Sequence, residues 1–522
     1  MNALTVLFGG SLAGEAFEPV LGGKSAFSLA LERAASFPGT EKVVLLGKEG
    51  VEYPRGPGFS VIAADWNVSL LLKTLSEEAE GFDLAYYAWA DTPFLDAELA
   101  GRLAERHCRF AADYSCADGW PHGLAPELLA PGTAGVLYKI AGDSGAGRVQ
   151  RDSVFTVLEK DINSFDIETE ISTVDLRYHR LNLAADSRRN LLLLKRFVDE
   201  GILKQSPASG AAEKIIAEKP DLLRTLPNFF SVQVSPSCPS GGDEGSLGSC
   251  ALCPYGERGR KAEHAGFMEP ARFAALLDDI AAFAGDAVID ISLWGEPALH
   301  PDCERLIETA LERPALALVV ETSGKGWPDG AIGRIAEKDR AAGPRKNGMA
   351  GLSWIVSLNE RDLPADGSGA AAFALELAAH FPKTAGGGDR VYVQAIRTKG
   401  AEDAIEKFYR AWKKTGLGII IQKYNSFCGA LPDRNAVDLS PVKRRPCWHV
   451  MRDFAVLLDG SVPFCVNACP QLWTTGGGVL GNVFTGSLEA VWESGGERYR
   501  EHCRGQYGGI CSNCDEYYTY TF

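Results

Sequence analysis

Apolar positions along the chain follow two different periods. Short apolar runs at residues 4–8, 43–47 and 84–89 predict buried strands, and residues 26–35 have the spacing of an amphipathic helix. A strand, a helix and a second strand in this order are typical of a parallel sheet covered by helices. The pattern therefore predicts an α/β fold, Rossmann-like over residues 1–204.

The same alternation returns after residue 229. It predicts strands at residues 230–234, 288–293, 315–321, 352–358, 390–396 and 418–423, with helices at residues 270–284, 303–311, 332–341, 371–379 and 404–414. Six strands joined by helical crossovers suit a partial (β/α)6 barrel, here over residues 229–435. In such barrels the chemistry lies at the carboxyl ends of the strands.

Two stretches of different composition flank this barrel. A Ser-, Pro- and Gly-containing run at residues 206–210 precedes one short amphipathic pattern, so residues 205–228 are predicted to be a linker with a short helix. After the barrel, residues 456–464 predict a tight hairpin whose turn is Asp459-Gly460. This hairpin lies in a small cysteine-rich module predicted over residues 436–522.

The overall composition is that of a soluble globular protein. Of 522 residues, 46% are hydrophobic and 23% charged, and the formal net charge of −15 argues against nucleic acid as a partner. No apolar run reaches the roughly twenty residues that a membrane-spanning helix needs. Because the sequence shows no export signal, we expect a cytoplasmic protein. Its thirteen cysteines are then better explained as metal ligands than as disulfides.

Three cysteines open the barrel segment. Cys250 and Cys253, two residues apart, can direct two thiolates at one metal centre, and Cys238 supplies a third from the other end of a Gly- and Ser-rich loop. Three thiolates with no evident fourth describe an iron–sulfur cluster that leaves one iron open. A zinc site with a distant fourth ligand is the alternative interpretation of the same spacing.

Polar residues follow the ends of the predicted barrel strands. The bend Gly295-Glu296-Pro297 follows the strand at 288–293, Thr322 and Ser357 end the next two strands, Asn359 follows Ser357, and Gln394 lies on the fifth strand. Each alone is typical of a polar group that bonds a loop amide. Their order along one barrel favours a shared binding site.

A cysteine loop, a helix and a strand ending in Gly-Glu-Pro resemble the start of a radical SAM enzyme. The resemblance implies that the open iron of a [4Fe–4S] cluster on Cys238, Cys250 and Cys253 binds S-adenosyl-L-methionine. It also implies that Gly295, Glu296, Pro297, Thr322, Ser357, Asn359 and Gln394 contact this cofactor. Eleven residues separate Cys238 from Cys250, where the usual motif has three, so the loop is predicted to be expanded.

Six cysteines fall in the last 76 residues, namely Cys447, Cys465, Cys469, Cys503, Cys511 and Cys514. Together with the Gly460-x4-Cys465 turn, this array resembles the SPASM or twitch modules that follow radical SAM barrels. The resemblance implies an auxiliary [4Fe–4S] cluster on Cys447, Cys465, Cys511 and Cys514, with Cys469 or Cys503 as an alternative ligand. A structural zinc ion fits the same four thiolates.

The first domain carries a motif of its own. Asp91 follows the strand at 84–89, and Asp186 lies further along the chain. Both resemble metal-binding aspartates of GT-A nucleotidyltransferases, which use CTP or GTP. The loop at residues 9–15, which in that family carries Arg and Lys for the triphosphate, has no basic residue here, and Lys24 is the nearest cation. We therefore predict a retained fold without transferase activity.

The whole chain resembles spirochaetal radical SAM proteins of the spiro-SPASM type with an N-terminal GT-A domain. This implies reductive cleavage of S-adenosylmethionine to a 5′-deoxyadenosyl radical, which abstracts hydrogen from an unidentified peptide or small-molecule substrate. An electron donor such as flavodoxin or ferredoxin is implied, and no residue is assigned as catalytic. Two alternatives remain open: an active nucleotidyltransferase with regulatory cysteine domains, and a non-catalytic zinc or iron–sulfur binding protein.

Overall fold

The fold was analysed in a computed structural model of the chain. It describes residues 1–53, 58–236, 238, 252–254, 266–345, 348–358, 362–364, 369–384, 387–468 and 478–519, and only the backbone at residues 143 and 144. Two compact units are present, Met1–Thr225 and Leu226–Phe522. Among the described residues no helix has the length and apolar character to cross a membrane.

The first unit alternates strands and helices. Its strands are β1 (Ala3–Gly9), β2 (Thr40–Lys48), β3 (Ser60–Ala64), β4 (Leu84–Trp89), β5 (Tyr114–Asp118), β6 (Glu127–Leu129) and β7 (Ile167–Ile171). Its helices are α1 (Ala26–Ala34), α2 (Val68–Glu78), α3 (Ala97–Phe110), α4 (Thr133–Ala141), α5 (Ser153–Leu158), α6 (Arg188–Asp199) and α7 (Ala208–Glu218).

These strands form one sheet in the order β3-β2-β1-β4-β6-β5-β7. All neighbours are parallel except that β6 runs antiparallel to β4 and β5. Residues 3–9 of β1 are all buried because β1 lies inside the sheet and helices cover both faces. The loop that follows β4 therefore opens at the carboxyl edge of the sheet, where Asp91 lies.

The segment predicted as a linker packs against the first unit. Helix α7 buries Ala212, Ile215 and Ile216, and the backbone N–H of Ser209 donates to the Asp96 carboxylate at 2.7 Å. An amphipathic face of this kind is stabilised when it covers apolar surface, so the helix docks instead of spanning free solvent. The boundary between the two units follows Thr225.

The second unit begins with the predicted series of strands and helices. Its strands are β8 (Phe229–Val232), β9 (Ala287–Asp290), β10 (Leu316–Thr322), β11 (Leu352–Ser357), β12 (Val391–Arg397), β13 (Gly418–Lys423), β14 (Asp453–Val456), β15 (Ser461–Pro463) and β16 (Val479–Asn482). Its helices are α8 (Pro270–Ala284), α9 (Cys303–Leu311), α10 (Ala331–Ala342), α11 (Gly369–His380), α12 (Glu402–Trp412), α13 (Trp448–Arg452), α14 (Leu488–Ser494) and α15 (Gly496–Cys503).

In the described part of this unit, seven parallel strands form one sheet in the order β13-β12-β11-β10-β9-β8-β14. One face packs against the helices, and the opposite face forms a second apolar cluster that runs from Phe229 in β8 to Ile420 in β13. The predicted α/β class, with parallel sheets, is confirmed.

The predicted hairpin at residues 456–464 differs from the structure. The chain does reverse at Asp459-Gly460, where the N–H of Leu457 bonds to the carbonyl oxygen of Ser461 at 2.9 Å. The strand before this turn, however, is β14, which extends the barrel sheet by pairing in parallel with β8. The strand after it, β15, pairs with β16 instead. Local periodicity predicts a strand but does not select its partner.

Candidate functional site

A cavity of about 450 Å³ lies at the carboxyl ends of the barrel strands. It brings together seven residues predicted from the sequence, namely Cys238, Cys253, Gly295, Glu296, Thr322, Ser357 and Gln394. Pro297 is buried and begins a single 3-10 turn beside the cavity. Cys250 and Asn359 lie outside the described residues, so their placement stays a prediction.

The bend after β9 places its backbone very close to a neighbouring segment. A Cβ atom on Gly295 would lie 2.1 Å from the carbonyl oxygen of Ser235, far inside van der Waals contact. The residue before it, Trp294, has a φ of 53°, which is uncommon for a side chain other than glycine. Only glycine fits at position 295 with this loop geometry.

Glu296 joins the carboxyl ends of β9 and β10. One of its carboxylate oxygens accepts a hydrogen bond from Thr322 Oγ1 at 2.6 Å, and the other accepts from the N–H and Oγ of Ser323 at 2.8 and 2.7 Å. Burial raises the pKa of Glu296, although these hydrogen bonds oppose the shift. The side chain is 4% exposed, so its first role in this structure is to hold the two strand ends together.

Two further predicted residues converge on a carboxylate that the sequence did not single out. Ser357 Oγ donates to Glu321 Oε1 at 2.6 Å, and Gln394 Nε2 donates to the same oxygen at 2.9 Å. Burial raises the pKa of Glu321. The signal that could have found it is a single acidic residue at the end of the apolar run of β10.

A second acidic side chain, Asp290, ends β9 on the inner face of the barrel. It accepts a hydrogen bond from the N–H of Ser292 at 2.9 Å, and burial raises its pKa to about 7. Within the described lining, Lys423 is the one basic side chain, and it pairs with Asp515 at 2.9 Å and with Glu516. The cavity is therefore acidic, with Asp290 and Glu321 bonded by neutral donors.

A second group of chemistry-bearing residues is formed by five thiols. Cys428, Cys465, Cys511 and Cys514 belong to one apolar cluster, and Cys447 lies close enough to interact electrostatically with Cys465, Cys511 and Cys514. All four predicted auxiliary ligands are thus brought together. Cys503 ends α15 and is not a member of the apolar cluster, and Cys469 is not among the described residues.

Three of these sulfurs accept backbone hydrogen bonds in the same local geometry. Cys465 Sγ accepts from the N–H of Asn467 and Cys514 Sγ from that of Glu516, both at 3.4 Å, and Cys447 accepts from His449 and Val450. N–H donors directed at sulfur stabilise the thiolate form that binds iron. Apolar residues surround the thiols, and burial raises the pKa of Cys511 to about 11.

Cys428 is the thiol that sequence reasoning missed. It has no cysteine within the short spacing that marks a metal-binding pair, and it follows β13 in a turn where its own φ is 58°. Its thiol donates to the carbonyl oxygen of Asn467 at 3.8 Å, and the neighbouring Cys428 thiol lowers the pKa of Cys514. Cys428 thus lies beside the other four thiols, with its own hydrogen directed at a backbone carbonyl oxygen.

The donor set fits an iron–sulfur cluster. No three histidine, cysteine or acidic side chains in the described ranges are grouped so as to hold a single metal ion. In a [4Fe–4S] cluster each thiolate binds a separate iron atom, so the sulfurs lie farther apart than around a single metal ion. Four convergent thiols with backbone N–H donors, in an apolar surrounding, are the soft ligands and protected environment that such a cluster requires.

In the first unit the structure brings Asp91 and Asp186 together around a cation. Arg151, which precedes α5, forms salt bridges with both carboxylates. Lys24, the nearest cation expected from the sequence, pairs instead with Glu32 at 2.6 Å. Arg151 is distant in sequence from both aspartates, so no local pattern could have indicated it.

Comparison with known proteins agrees with the thiol group. Residues 447–515 match the SPASM model, described as an iron-sulfur cluster-binding domain. A protein of Treponema pallidum (strain Nichols), described as uncharacterized, is 33% identical over 384 residues, which cover 71% of this chain and 98% of that protein. The chain belongs to the family of this treponemal protein. The SPASM match spans Cys447, Cys465, Cys511 and Cys514 but not Cys428.

Solved structures resemble parts of this family member only distantly. A cytidylyltransferase from Leptospira borgpetersenii is 17% identical with a TM-score of 0.35, covering 42% of this chain and 95% of that chain. BtrN in complex with AdoMet and 2-DOIA is 16% identical with a TM-score of 0.33, covering 56% and 93%. At these scores neither likeness bears on activity.

Proposed function

We propose that this family member is a radical SAM enzyme with one auxiliary cluster. The observation that carries the proposal is the cavity at the carboxyl ends of the barrel strands, where Cys238 and Cys253 line the same space as Gly295 and Glu296. When bound, the cluster and S-adenosylmethionine would supply a 5′-deoxyadenosyl radical that abstracts hydrogen from the substrate. The chain's own residues bind, orient and shield these groups.

Each part of the cavity has a distinct task in this proposal. Cys238, Cys250 and Cys253 would hold the cluster and leave one iron without a protein ligand. Gly295 keeps the bend narrow, and Glu296 fixes the bend to the end of β10. Glu321 is positioned by Ser357 and Gln394 on the inner face of the barrel. The apolar cluster below these groups excludes water from the floor.

The SPASM domain would hold the auxiliary cluster through Cys447, Cys465, Cys511 and Cys514. These four thiols fill the four iron sites of one cubane, so this cluster is closed to substrate ligation unless a thiolate leaves. Cys428 would stay outside the cluster, beside Cys514, with its thiol directed at the carbonyl oxygen of Asn467. Val466 and Asn467 of this domain also line the barrel cavity, which supports electron exchange between the two sites.

The finer features of the proposal come from the sequence resemblance. They are the spirochaetal spiro-SPASM type, a cytoplasmic location, a peptide or small-molecule substrate, and flavodoxin or ferredoxin as the electron donor. The treponemal relative supports the first of these. The first domain is proposed to retain a GT-A nucleotidyltransferase fold without transfer activity.

Anaerobic reconstitution with iron and sulfide tests the proposal. The expected product contains about eight iron and eight sulfide per chain, from two cubane clusters, and forms 5′-deoxyadenosine when S-adenosylmethionine and a reductant are added. Cys253→Ala should form none, whereas Cys108→Ala, which removes an exposed thiol of the first unit, should match the wild type. Stoichiometric zinc with negligible iron, or no cleavage by a chain that carries both clusters, would contradict the proposal.

A further inference from the structure

In the first unit, all four carboxylate oxygens of Asp91 and Asp186 accept hydrogen bonds. Arg151 Nη1 donates to Asp91 Oδ1 at 3.1 Å, and Nη2 donates to Asp91 Oδ2 at 2.6 Å and to Asp186 Oδ2 at 3.2 Å. One planar guanidinium thus bonds Asp91 through both oxygens and reaches Asp186 as well. Bidentate contacts of this kind are among the stronger ion pairs in proteins.

The remaining acceptor sites of Asp186 are taken by two amide side chains. Asn182 Nδ2 donates to Oδ2 at 2.6 Å, and Asn190 Nδ2 donates to Oδ1 at 2.7 Å. Asn190 lies in the first turn of α6, four residues after Asp186. An amide that donates at this position supports a carboxylate already paired with a cation, whereas another aspartate would add negative charge.

The flat face of the Arg151 guanidinium also packs against an aromatic ring. The guanidinium carbon lies 4.5 Å from the ring centroid of Trp89, the last residue of β4, and Trp89 is 8% exposed. Contact with an indole face stabilises a cation beyond its ion pairs. Edge contacts with two carboxylates and a face contact with an aromatic ring leave the guanidinium one well-defined position.

The nucleotidyltransferase resemblance implies a divalent metal ion between these two aspartates, and the residues present do not fit one. Such an ion needs direct access to carboxylate oxygens at about 2.0–2.5 Å. Both oxygens of Asp91 already accept from Arg151, and Asp91 is 1% exposed. A permanent guanidinium charge at hydrogen-bond distance repels a second cation strongly at such a buried position.

We infer that Arg151 is the resident cation of this crevice, in the place of a divalent metal ion, so that the first unit binds no Mg²⁺ or Mn²⁺ through Asp91 and Asp186. The inference concerns the first unit alone and does not depend on the proposed radical chemistry. It also gives a physical reason for a retained GT-A fold without metal-dependent nucleotide transfer, because the carboxylates are neutralised from within the chain.

Equilibrium dialysis of the full-length, anaerobically reconstituted chain against Mn²⁺ tests the inference. At about 1 mM Mn²⁺, the affinity range of weakly built carboxylate sites, the wild type should bind no more than Asp91→Asn does. Arg151→Met removes the charge but keeps a side chain of similar length, and it should gain about one Mn²⁺ per chain. Arg151→Lys keeps the charge and should gain none.

The double variant Arg151→Met with Asp91→Asn should lose the gained ion, which assigns it to this crevice. Two results would overturn the inference. The first is Mn²⁺ binding by the wild type that Asp91→Asn removes, and the second is a folded Arg151→Met chain that binds no additional Mn²⁺. If Arg151→Met does not fold, the comparison of the wild type with Asp91→Asn decides alone, since equal binding supports the inference and higher wild-type binding refutes it.

Discussion

Replacing Glu296 by glutamine tests whether this side chain holds the bend at residues 295–297 in place. Thr322 Oγ1 accepts from Trp327 Nε1 and from the N–H of Gly324, both at 3.0 Å, so its own hydrogen must go to Glu296. On the other side, Ser323 donates twice. A glutamine offers one acceptor oxygen and one NH₂ group, so whichever way it turns, at least one buried donor loses its acceptor.

The expected cost follows from that count. An unsatisfied buried donor costs about 1–3 kcal/mol. For a unit of this size, about 1 kcal/mol lowers the thermal midpoint by roughly 2 °C, so Glu296→Gln should lower the midpoint of the second unit by about 2–6 °C at a fixed scan rate. Glu296→Ala should cost at least as much, because it removes every acceptor and leaves a cavity.

Glu304→Gln is the matched control. Glu304 also makes two short carboxylate contacts, with Arg334 at 2.7 and 2.9 Å, but Arg334 is 52% exposed and the pair lies at the surface. Exposed pairs of this kind contribute about 0–1 kcal/mol. The reasoning is refuted if Glu296→Gln leaves the midpoint unchanged, or if the surface substitution lowers it as much as the buried one.

Four substitutions test the cysteine roles and the buried acid described above. Folded Cys514→Ala should lose about half of the iron yet retain slow S-adenosylmethionine cleavage, whereas Cys253→Ala should lose cleavage. Iron assays and chromatography of 5′-deoxyadenosine measure the two effects. The opposite pattern would reverse the assignment of the two clusters. Cys428→Ala should keep the wild-type iron content, because four other thiols remain to hold the auxiliary cluster. It should, however, change the electron paramagnetic resonance spectrum of that cluster in its reduced form. A loss of half the iron would instead show that Cys428 is a ligand. Asp290→Asn should be more stable than the wild type at pH 8. The pKa of Asp290 is about 7 in the folded chain and 3.8 without burial, so wild-type stability falls as pH rises from about 4 to 7. The stability advantage of Asp290→Asn over the wild type should therefore shrink towards pH 4. Thermal scans in which this advantage stays constant would contradict the prediction.

Elements with a strong apolar period were predictable from the sequence. Helix α8 begins and ends where the pattern predicts, because Pro270 fixes its first turn and Phe273, Leu276, Leu277 and Ile280 form one buried stripe. The pairing of β14 with β8 was not predictable. Residues far apart in sequence form that contact, and an apolar strand of four residues carries no information about its neighbour.

The candidate site was predictable as a set of positions, and less so as a set of contacts. The barrel pattern placed Thr322 and Ser357 at strand ends and Gln394 on the fifth strand, and the structure puts all three at one cavity. Their partners were not foreseeable. Ser357 and Gln394 bond Glu321, and Thr322 bonds Glu296, because side chains on neighbouring parallel strands meet at one edge of the sheet. Whether they also contact a cofactor stays a prediction.

Buried charge distinguishes the two acidic sites of the chain. In the first unit, Asp91 and Asp186 share the guanidinium of Arg151, so little negative charge remains there for a ligand. In the barrel cavity, Asp290 and Glu321 have only neutral hydrogen-bond donors among the described side chains, and burial raises both pKa values. A bound cation would lower the free energy of their ionised forms. S-Adenosylmethionine carries positively charged sulfonium and ammonium groups, so this difference in charge supports the barrel cavity as the site proposed for it.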